Sequence, residues 1–421
     1  MIETPRRSYI ARFTGNGAGK QLKNLTWVLS EQVGIRLINF ITFAIVTRYA
    51  EAAEIGILGL AWTFLYFVEA LTSHSMSVAV IQTPTFNQTE RSTFFWICIG
   101  SSLLGTLAMV LIGSISWLGF HKPQLGFVSM FIGVIFMTRM WGTAHKTVLM
   151  REECQRELAT NSLIASFFSA FLGIGLALSG FGIWALLCRN GMQSLIESGL
   201  NCLTRTWRPA RQFDRIFARN TMRFAVPIAS AQIGNLSVKL SQQAAISATM
   251  GLNVLGMFEV ARRIPEMSLQ LTSAVIVRFW FPYIAAKERK SKCTWILFKR
   301  VALVLVAGTI SLVTIALIFR MQLVILIFGN QWNHAANIFC LLLLGFCVNT
   351  IQEIAKTSLF AKGFNRASVI QFYYNLCGLL AFLITLHTSS LMVALACIIA
   401  AQTICIIHLL TLLRRRSLRI L

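Results

Sequence analysis

Six cations interrupt segments of this chain that are otherwise long and apolar enough to span hydrocarbon: Arg36, Arg139, Arg189, Lys239, Arg262 and Arg263. A cation near the bilayer centre costs roughly 2.5–3.5 kcal/mol on insertion scales, so six facing lipid would cost on the order of 15–20 kcal/mol. That exceeds the roughly 5–15 kcal/mol by which a typical fold is stable. The chain can adopt only folds in which these groups line water, pair with acids or hold an anion.

Hydrophobic residues make up 56% of 421 positions and charged residues only 13%, against about 25% charged in a soluble domain. Apolar runs of about 20 residues recur, without the polar–apolar alternation of a membrane β-barrel. An all-α polytopic membrane protein follows. About twelve spans can be placed, at 25–47, 54–83, 93–118, 124–146, 158–180, 182–203, 222–248, 253–283, 297–319, 331–356, 367–387 and 390–413.

The net charge of +23 is distributed as topology, not as a nucleic-acid footprint. Lys and Arg concentrate in every second connection: Arg91; Lys146, Arg151 and Arg156; Arg205 through Arg223; Lys287 through Arg300; Lys356, Lys362 and Arg366. Both termini are basic, with Arg6, Arg7, Arg12, Lys20 and Lys23 at one end and Arg414, Arg415, Arg416 and Arg419 at the other. The other connections hold only Arg48 with Glu51 and Glu54, then Lys122, then Arg320. This positive-inside pattern predicts a plasma-membrane protein with cytoplasmic termini, its basic loops touching anionic headgroups. The N-terminal arm lacks the short apolar core and cleavage site of a signal peptide. Trp27, Trp117, Trp207, Trp295 and Trp332 fall near predicted span ends, as an interfacial belt requires.

The chain also repeats itself. A shift of 200 residues lays Gln32-Val33-Gly34 on Gln232-Ile233-Gly234, Gly56 on Gly256 and Ala61 on Ala261. Span 1 then corresponds to span 7 and span 2 to span 8. An even number of spans per half means both copies enter from the same side, a parallel repeat. The expected organisation is a cytoplasmic arm (1–24), an N-lobe (25–203), a basic inter-lobe linker (204–221) containing Trp207-Arg208-Pro209, a C-lobe (222–413) and a basic tail (414–421). Two lobes on such a linker imply a cavity between them and rocking about it.

Arg36 lies about 11 residues into span 1, roughly 16 Å deep at 1.5 Å per residue, near the middle of a core about 30 Å thick. Lys239 sits at similar depth in span 7; its repeat partner Asn39 is one turn beyond Arg36. Equivalent helices therefore offer a mid-depth cation from each half. The structural alternative is that Arg36 pairs with Glu31 or Glu69 and only joins helices. Arg262 and Arg263 follow Glu259 by three and four residues, so one of them is neutralised locally, and Pro265 is placed to kink the same span. Arg139 and Arg189 face the cavity or snorkel toward the inner and outer surfaces respectively. Glu31 and Glu69 are the candidates for coupling to a proton or sodium gradient; charge balance is the competing reading for them.

The ten cysteines are scattered and form no CxxC pair, and the six histidines show no HExxH spacing; no metal site or cofactor is expected. Glu51 and Glu54 read as a solvated loop with an acid at a helix N-terminus rather than a catalytic pair. Guanidinium groups bind phosphate oxygens in bidentate fashion, so a cationic interior suits a diphosphate-bearing lipid better than a cationic drug.

Several segments resemble the polysaccharide flippases of the Wzx type, within the multidrug, oligosaccharidyl-lipid and polysaccharide exporter superfamily. They are Glu51-Ala-Ala-Glu54-Ile-Gly56; Gly182-Ile-Trp184-Ala185-Leu186; Trp207-Arg208-Pro209; Leu255-Gly256-Met-Phe258-Glu-Val-Ala261-Arg262-Arg263-Ile-Pro265; Phe281-Pro282; and Phe328-Gly329-Asn-Gln331-Trp332. The resemblance implies two parallel six-helix lobes in a V around a central cationic cavity. It also implies alternating-access translocation of an undecaprenyl-diphosphate-linked oligosaccharide between leaflets of a bacterial inner membrane, for exopolysaccharide, capsule or O-antigen synthesis. A polysaccharide polymerase and a chain-length regulator are the protein partners it suggests. Two departures stand out: Phe258 occupies a position where the family usually has tyrosine, and about twelve spans are found where many members have fourteen. The rival classes are a multidrug or cation antiporter, which predicts an acidic pocket, and a polytopic glycosyltransferase or polymerase, which needs a sizeable outer loop. A channel is the weakest, lacking a filter-like motif.

Overall fold

The computed structural model describes residues 17–83, 86–119, 121–152, 154–204, 207–276, 284, 294–362, 364, 366–388 and 390–418. Arg6, Arg7, Arg12, Arg205, Arg278, Phe281, Pro282, Lys287, Cys293 and Arg419 lie outside the described residues, as do the side chains of Lys20, Lys23, His74, Trp295, Arg300, Arg415 and Arg416. Among the described residues the regular structure is entirely helical. The helices are α1 (Gly17–Thr47), α2 (Ala52–Leu71), α3 (Ser73–Gln82), α4 (Gln88–Ser114), α5 (Pro123–Arg151), α6 (Gln155–Leu178) and α7 (Ile183–Leu203). Then come α8 (Arg215–Val275), α9 (Thr294–Ile318), α10 (Arg320–Phe328), α11 (Ala335–Ala361), α12 (Ala367–Thr388) and α13 (Leu391–Leu418).

Eight of the described helices are long and apolar enough to cross a membrane, or nine with α9 and α10 taken as one span bent by 78°. The burial pattern agrees with a lipid solvent. On α4, Leu103, Leu104, Leu107 and Leu111 are exposed, whereas Ser101, Ser102, Gly105 and Met109 are buried. Small and hydroxyl-bearing residues thus take the helix contacts, and leucines take the outside, as helices packed in hydrocarbon require. Thr42 donates to the Ile38 carbonyl at 2.8 Å and Thr63 to the Gly59 carbonyl at 3.0 Å, so these buried hydroxyls are satisfied one turn back on their own helices. This is a multi-pass membrane protein.

Helix boundaries follow local chemistry. The Glu54 carboxylate accepts the Glu51 backbone N–H at 3.1 Å, and the Glu90 carboxylate accepts that of Asn87 at 2.7 Å. Both are N-terminal caps of the kind acids provide, so Glu51 and Glu54 are a helix start, as expected. Pro123 opens α5 at its first turn, where its missing N–H is harmless. Within α8, Gly251 takes φ 87° and ψ 170°, a region essentially reserved for glycine. The dihedrals stay helical at Pro265, and the helix is broken at Gly251, in the connection expected between spans 7 and 8.

The chain divides into two compact units. One holds the residues up to Tyr49 together with Phe64–Ile233; the other holds Ala50–Thr63 together with Gly234 onward. In the first unit α4 packs on α5, α5 on α7, α7 on α6 and α6 on α1. The segment 207–214 is strapped to the start of α4: Trp96 donates to the Ala210 carbonyl at 2.9 Å, and the N–H groups of Ala210 and Asp214 donate to Ser92 and Thr93 at 3.0 and 2.8 Å. Asp214 then caps α8 by accepting the Ile216 N–H at 2.8 Å.

In the second unit α13 packs on α11 and α12, and α9 on α11. Here the sequence repeat has a physical counterpart. A Cβ on Gly56 would collide with the carbonyl of Leu252, and one on Gly256 would collide with the carbonyl of Ala52. Each position of one contact is the 200-residue partner of a position in the other, so the crossing of α2 and α8 is reciprocal. Equivalent pairings recur inside each unit: Gly34 abuts Leu163 of α6, and Gly234 abuts Phe372 of α12. One expectation fails. Trp332 is only 1% exposed, and the neighbouring Gln331 side chain donates to the Ala50 carbonyl at 3.3 Å; this tryptophan is a core anchor, not part of an interfacial belt.

Candidate functional site

In the first unit the charged side chains of the spans are tied across helices. Arg139 on α5 meets Glu69 on α2 at 2.6 Å, and Lys146 on α5 meets Glu197 on α7 at 2.7 Å. Ser162 on α6 also donates to Glu197, at 3.1 Å. Glu31 on α1 comes within hydrogen-bonding range of Ser162 and lies in the field of Lys146 and Glu197. Arg189 is 4% exposed; its guanidinium donates to Asn39 on α1 and to Gln193 at 3.2 Å, and Gln193 passes the network to Ser166 at 2.9 Å. Arg189 therefore neither snorkels outward nor stands in an open space. Arg139 is held by Glu69 rather than drawn to a surface. Arg36 donates to Gln32, one turn back on its own helix, at 3.0 Å. Glu69, offered as a partner for Arg36, is bonded to Arg139.

In the second unit Lys356 and Glu353 pair within α11 at 2.5 Å, and five further charges gather on one hairpin of α8. The chain reverses at Gly251, so the two arms of the hairpin meet: the Gln243 amide donates to Glu259 at 2.7 Å, and Lys239 lies 3.7 Å from Glu266. Arg262 bonds Glu259 at 2.9 Å and lies 3.7 Å from Glu266, with its guanidinium 5.3 Å from the centre of the Phe258 ring. Arg263 is within electrostatic range of Lys239 and Glu266. Three cations thus share two acids and leave a surplus of one positive charge. The neutralisation of one arginine by Glu259 was legible from spacing. Glu266 was missed, although its place four residues after Arg262 on the same helix face was the available signal.

Beside this hairpin lies a cavity of about 200 Å³ between α8, α11 and α13. Arg262, Glu266 and Gln242 form its polar wall with Asn349 of α11 and Gln402 of α13; Phe258, Phe346, Leu341 and Ile399 supply apolar surface. Pro265 also borders it, and its lack of an N–H removes the donor that the Ala261 carbonyl would otherwise receive. None of the three amides was recognisable beforehand as a site residue, because each lies on a different part of the chain. Among the described residues there is no cluster of three or more His, Cys, Asp or Glu that could hold a metal.

Fold and charged interior define a class: a multi-pass helical membrane protein with the architecture of the transporters of the MOP superfamily. The lipid II flippase MurJ, in an inward closed conformation, superposes with a TM-score of 0.68 at 11% identity, over 95% of this chain and 90% of that one. An inward-facing MATE family multidrug transporter gives 0.67 at 13% identity, over 93% and 98%. The family profile described as polysaccharide biosynthesis protein matches residues 45–337, and the chain belongs to that family. Among curated relatives, the succinoglycan biosynthesis transport protein ExoT of Rhizobium meliloti (strain 1021) is 24% identical over 76% of this chain and 65% of its own length. The amylovoran biosynthesis protein AmsL of Erwinia amylovora is 24% identical over 51% and 56%. The lipopolysaccharide biosynthesis protein WzxC of Escherichia coli (strain K12) is 19% identical over 82% and 70%. The chain spans 65% and 56% of the lengths of ExoT and AmsL.

Proposed function

We propose that this protein is a flippase that moves an undecaprenyl-diphosphate-linked oligosaccharide from the inner to the outer leaflet of a bacterial inner membrane, by alternating access, for polysaccharide synthesis. The observation that carries the reading is the charge surplus on the α8 hairpin, where Lys239, Arg262 and Arg263 share Glu259 and Glu266. A net positive interior in low dielectric favours an anionic cargo. Family membership and relatives named for polysaccharide biosynthesis and its transport support the same cargo class. We assign the diphosphate to Arg36 and Lys239, at matched depth in equivalent helices, with Arg262 and Arg263 as further cations. Arg139 and Arg189 hold a supporting place in the first unit through Glu69 and Asn39.

Glu31 is the stronger coupling candidate of the two acids, since it shares Ser162, Lys146 and Glu197 with its surroundings, whereas Glu69 is bonded to Arg139. Substrate movement in proteoliposomes that ignores proton, sodium and voltage gradients would remove ion coupling altogether. The basic loops and termini support an inner-membrane location with cytoplasmic ends. The fold likeness to a MATE transporter admits a second reading, an exporter of cationic drugs; the positive surplus argues against it.

Replacing Arg36 or Lys239 by alanine should abolish glycan export from cells while leaving the membrane level of the protein unchanged. Wild-type export from either variant takes that residue out of the diphosphate site. Export of a cationic dye by the purified protein, with no response to lipid-linked glycan, would transfer the assignment to the second reading.

A further inference from the structure

The cavity between α8, α11 and α13 is built for a different chemistry from the cations around it. Three amide side chains converge on it from three separate segments: Gln242, Asn349 and Gln402. None of them makes a hydrogen bond or ion pair with another described residue. An amide carries two N–H donors and a carbonyl acceptor, and leaving such groups unused in a low-dielectric interior is unfavourable. They are left available to a ligand that both donates and accepts.

Phosphate does not fit that description, because its ionised oxygens only accept. Its charge would also meet the Glu266 carboxylate on the same wall, while the Arg262 guanidinium is already shared between Glu259 and Glu266. Hydroxyl groups fit: each donates one hydrogen bond and accepts others, and the carboxylate and the amides can all be used by one hydroxyl-rich ring. The remaining surface is apolar and partly aromatic, with Phe258 and Phe346 at hand, matching the C–H faces that a sugar ring presents between its equatorial hydroxyls. Size agrees. At about 200 Å³ the space falls below the roughly 300–1,000 Å³ of drug-sized pockets, so one ring enters and an oligosaccharide does not.

We infer that this cavity is a sugar-reading subsite, holding one neutral monosaccharide unit of the carried glycan through Gln242, Asn349, Gln402 and Glu266. The inference rests on the flippase reading and places the recognition of sugar beside the diphosphate cations, with Arg262 bordering both. Gln402 and Asn349 are specificity-determining residues, since a leucine at either deletes donors and acceptor together.

The test uses the full-length protein in lipid nanodiscs and two probes. A panel of neutral hexoses and N-acetylhexosamines is screened by saturation-transfer NMR, and sugar-free undecaprenyl diphosphate is titrated separately by calorimetry. Expected is saturation transfer to at least one sugar, lost in Gln402→Leu and in Asn349→Leu and retained at reduced strength in Gln402→Asn, while undecaprenyl diphosphate binds all four proteins equally. Thermal unfolding midpoints within a few degrees of one another confirm that the variants are folded; should Gln402→Leu unfold, Asn349→Leu and Gln402→Asn carry the comparison. No transfer to any sugar in the unsubstituted protein overturns the subsite, as does transfer undiminished in the folded leucine variants or displacement of the sugar by a detergent alkyl chain alone. Failure of undecaprenyl diphosphate to bind counts against the flippase reading instead, and leaves the sugar result to be read on its own.

Discussion

The two compact units use buried charge in opposite ways. In the first, each acid–base pair joins different helices: Arg139 to Glu69, Lys146 to Glu197, with Ser162 as a third party. In the second, Lys239, Glu259, Arg262 and Glu266 all belong to the α8 hairpin, and Arg262 and Glu266 border a cavity. Asn39 and Lys239, equivalent under the repeat, show the contrast in one position. Asn39 is an acceptor consumed by Arg189; Lys239 is a cation facing Glu266 at 3.7 Å. The repeat-equivalent helix position is a cross-brace in one unit and a cation on the charged hairpin in the other. Ionic groups inside a membrane protein therefore divide by what they bridge, and only those collected along one element beside a cavity are well placed to change partners.

The largest effect that would sharpen this contrast is on stability in the first unit. Glu197→Leu strands Lys146 and should cost about 3 kcal/mol, the scale for removing one member of a buried pair, reduced because Lys146 is 37% exposed. The double variant Lys146→Met/Glu197→Leu should recover most of that loss, read as thermal midpoints in nanodiscs; no recovery would mean the pair is not a structural brace. Next comes Gly251→Ala, which places a side chain in a glycine-only conformation and should cost about 2 kcal/mol. A midpoint unchanged by that substitution would show that the hairpin does not need its reversal. Arg262→Ala should cost about 1–2 kcal/mol, less than the roughly 3–5 kcal/mol of a broken buried pair, since Gln243 still serves Glu259 and Lys239 still faces Glu266, while export of glycan falls severely. A large stability loss with export intact would make Arg262 a brace like Arg139 and erase the distinction. Smallest is Glu69→Gln, which keeps a hydrogen-bond acceptor for a half-exposed Arg139 and should cost under about 1 kcal/mol.

Much of the fold was legible in the chain because lipid as a solvent imposes strong rules. Apolar runs of hydrocarbon length mark helices, and all twelve expected segments overlap described helices, although the unit boundaries lie elsewhere in α2 and α8. The pairing of Arg262 with Glu259 was visible because it is set by helical spacing. Contacts set by tertiary packing were not. Nothing local to Arg189 announces Asn39 on α1, and nothing near Lys146 announces Glu197 on α7. Trp332 has the composition of an interfacial anchor and the environment of a core residue. The amides of the cavity are the clearest case: Gln242, Asn349 and Gln402 are ordinary polar interruptions of apolar helices until three backbones bring them to one space.

The crossing at Gly56 and Gly256 has a mechanical consequence. Where Gly56 and Gly256 each face a carbonyl of the opposite helix, the two rods touch main chain to main chain. Bulk added to either glycine would be met by main chain, which has no rotamer to yield. One turn on, the Glu259 side chain lies against Gly59 and Gln243 donates to the Gly59 carbonyl at 3.4 Å, so the joint is a backbone bearing pinned at one end by the charged hairpin.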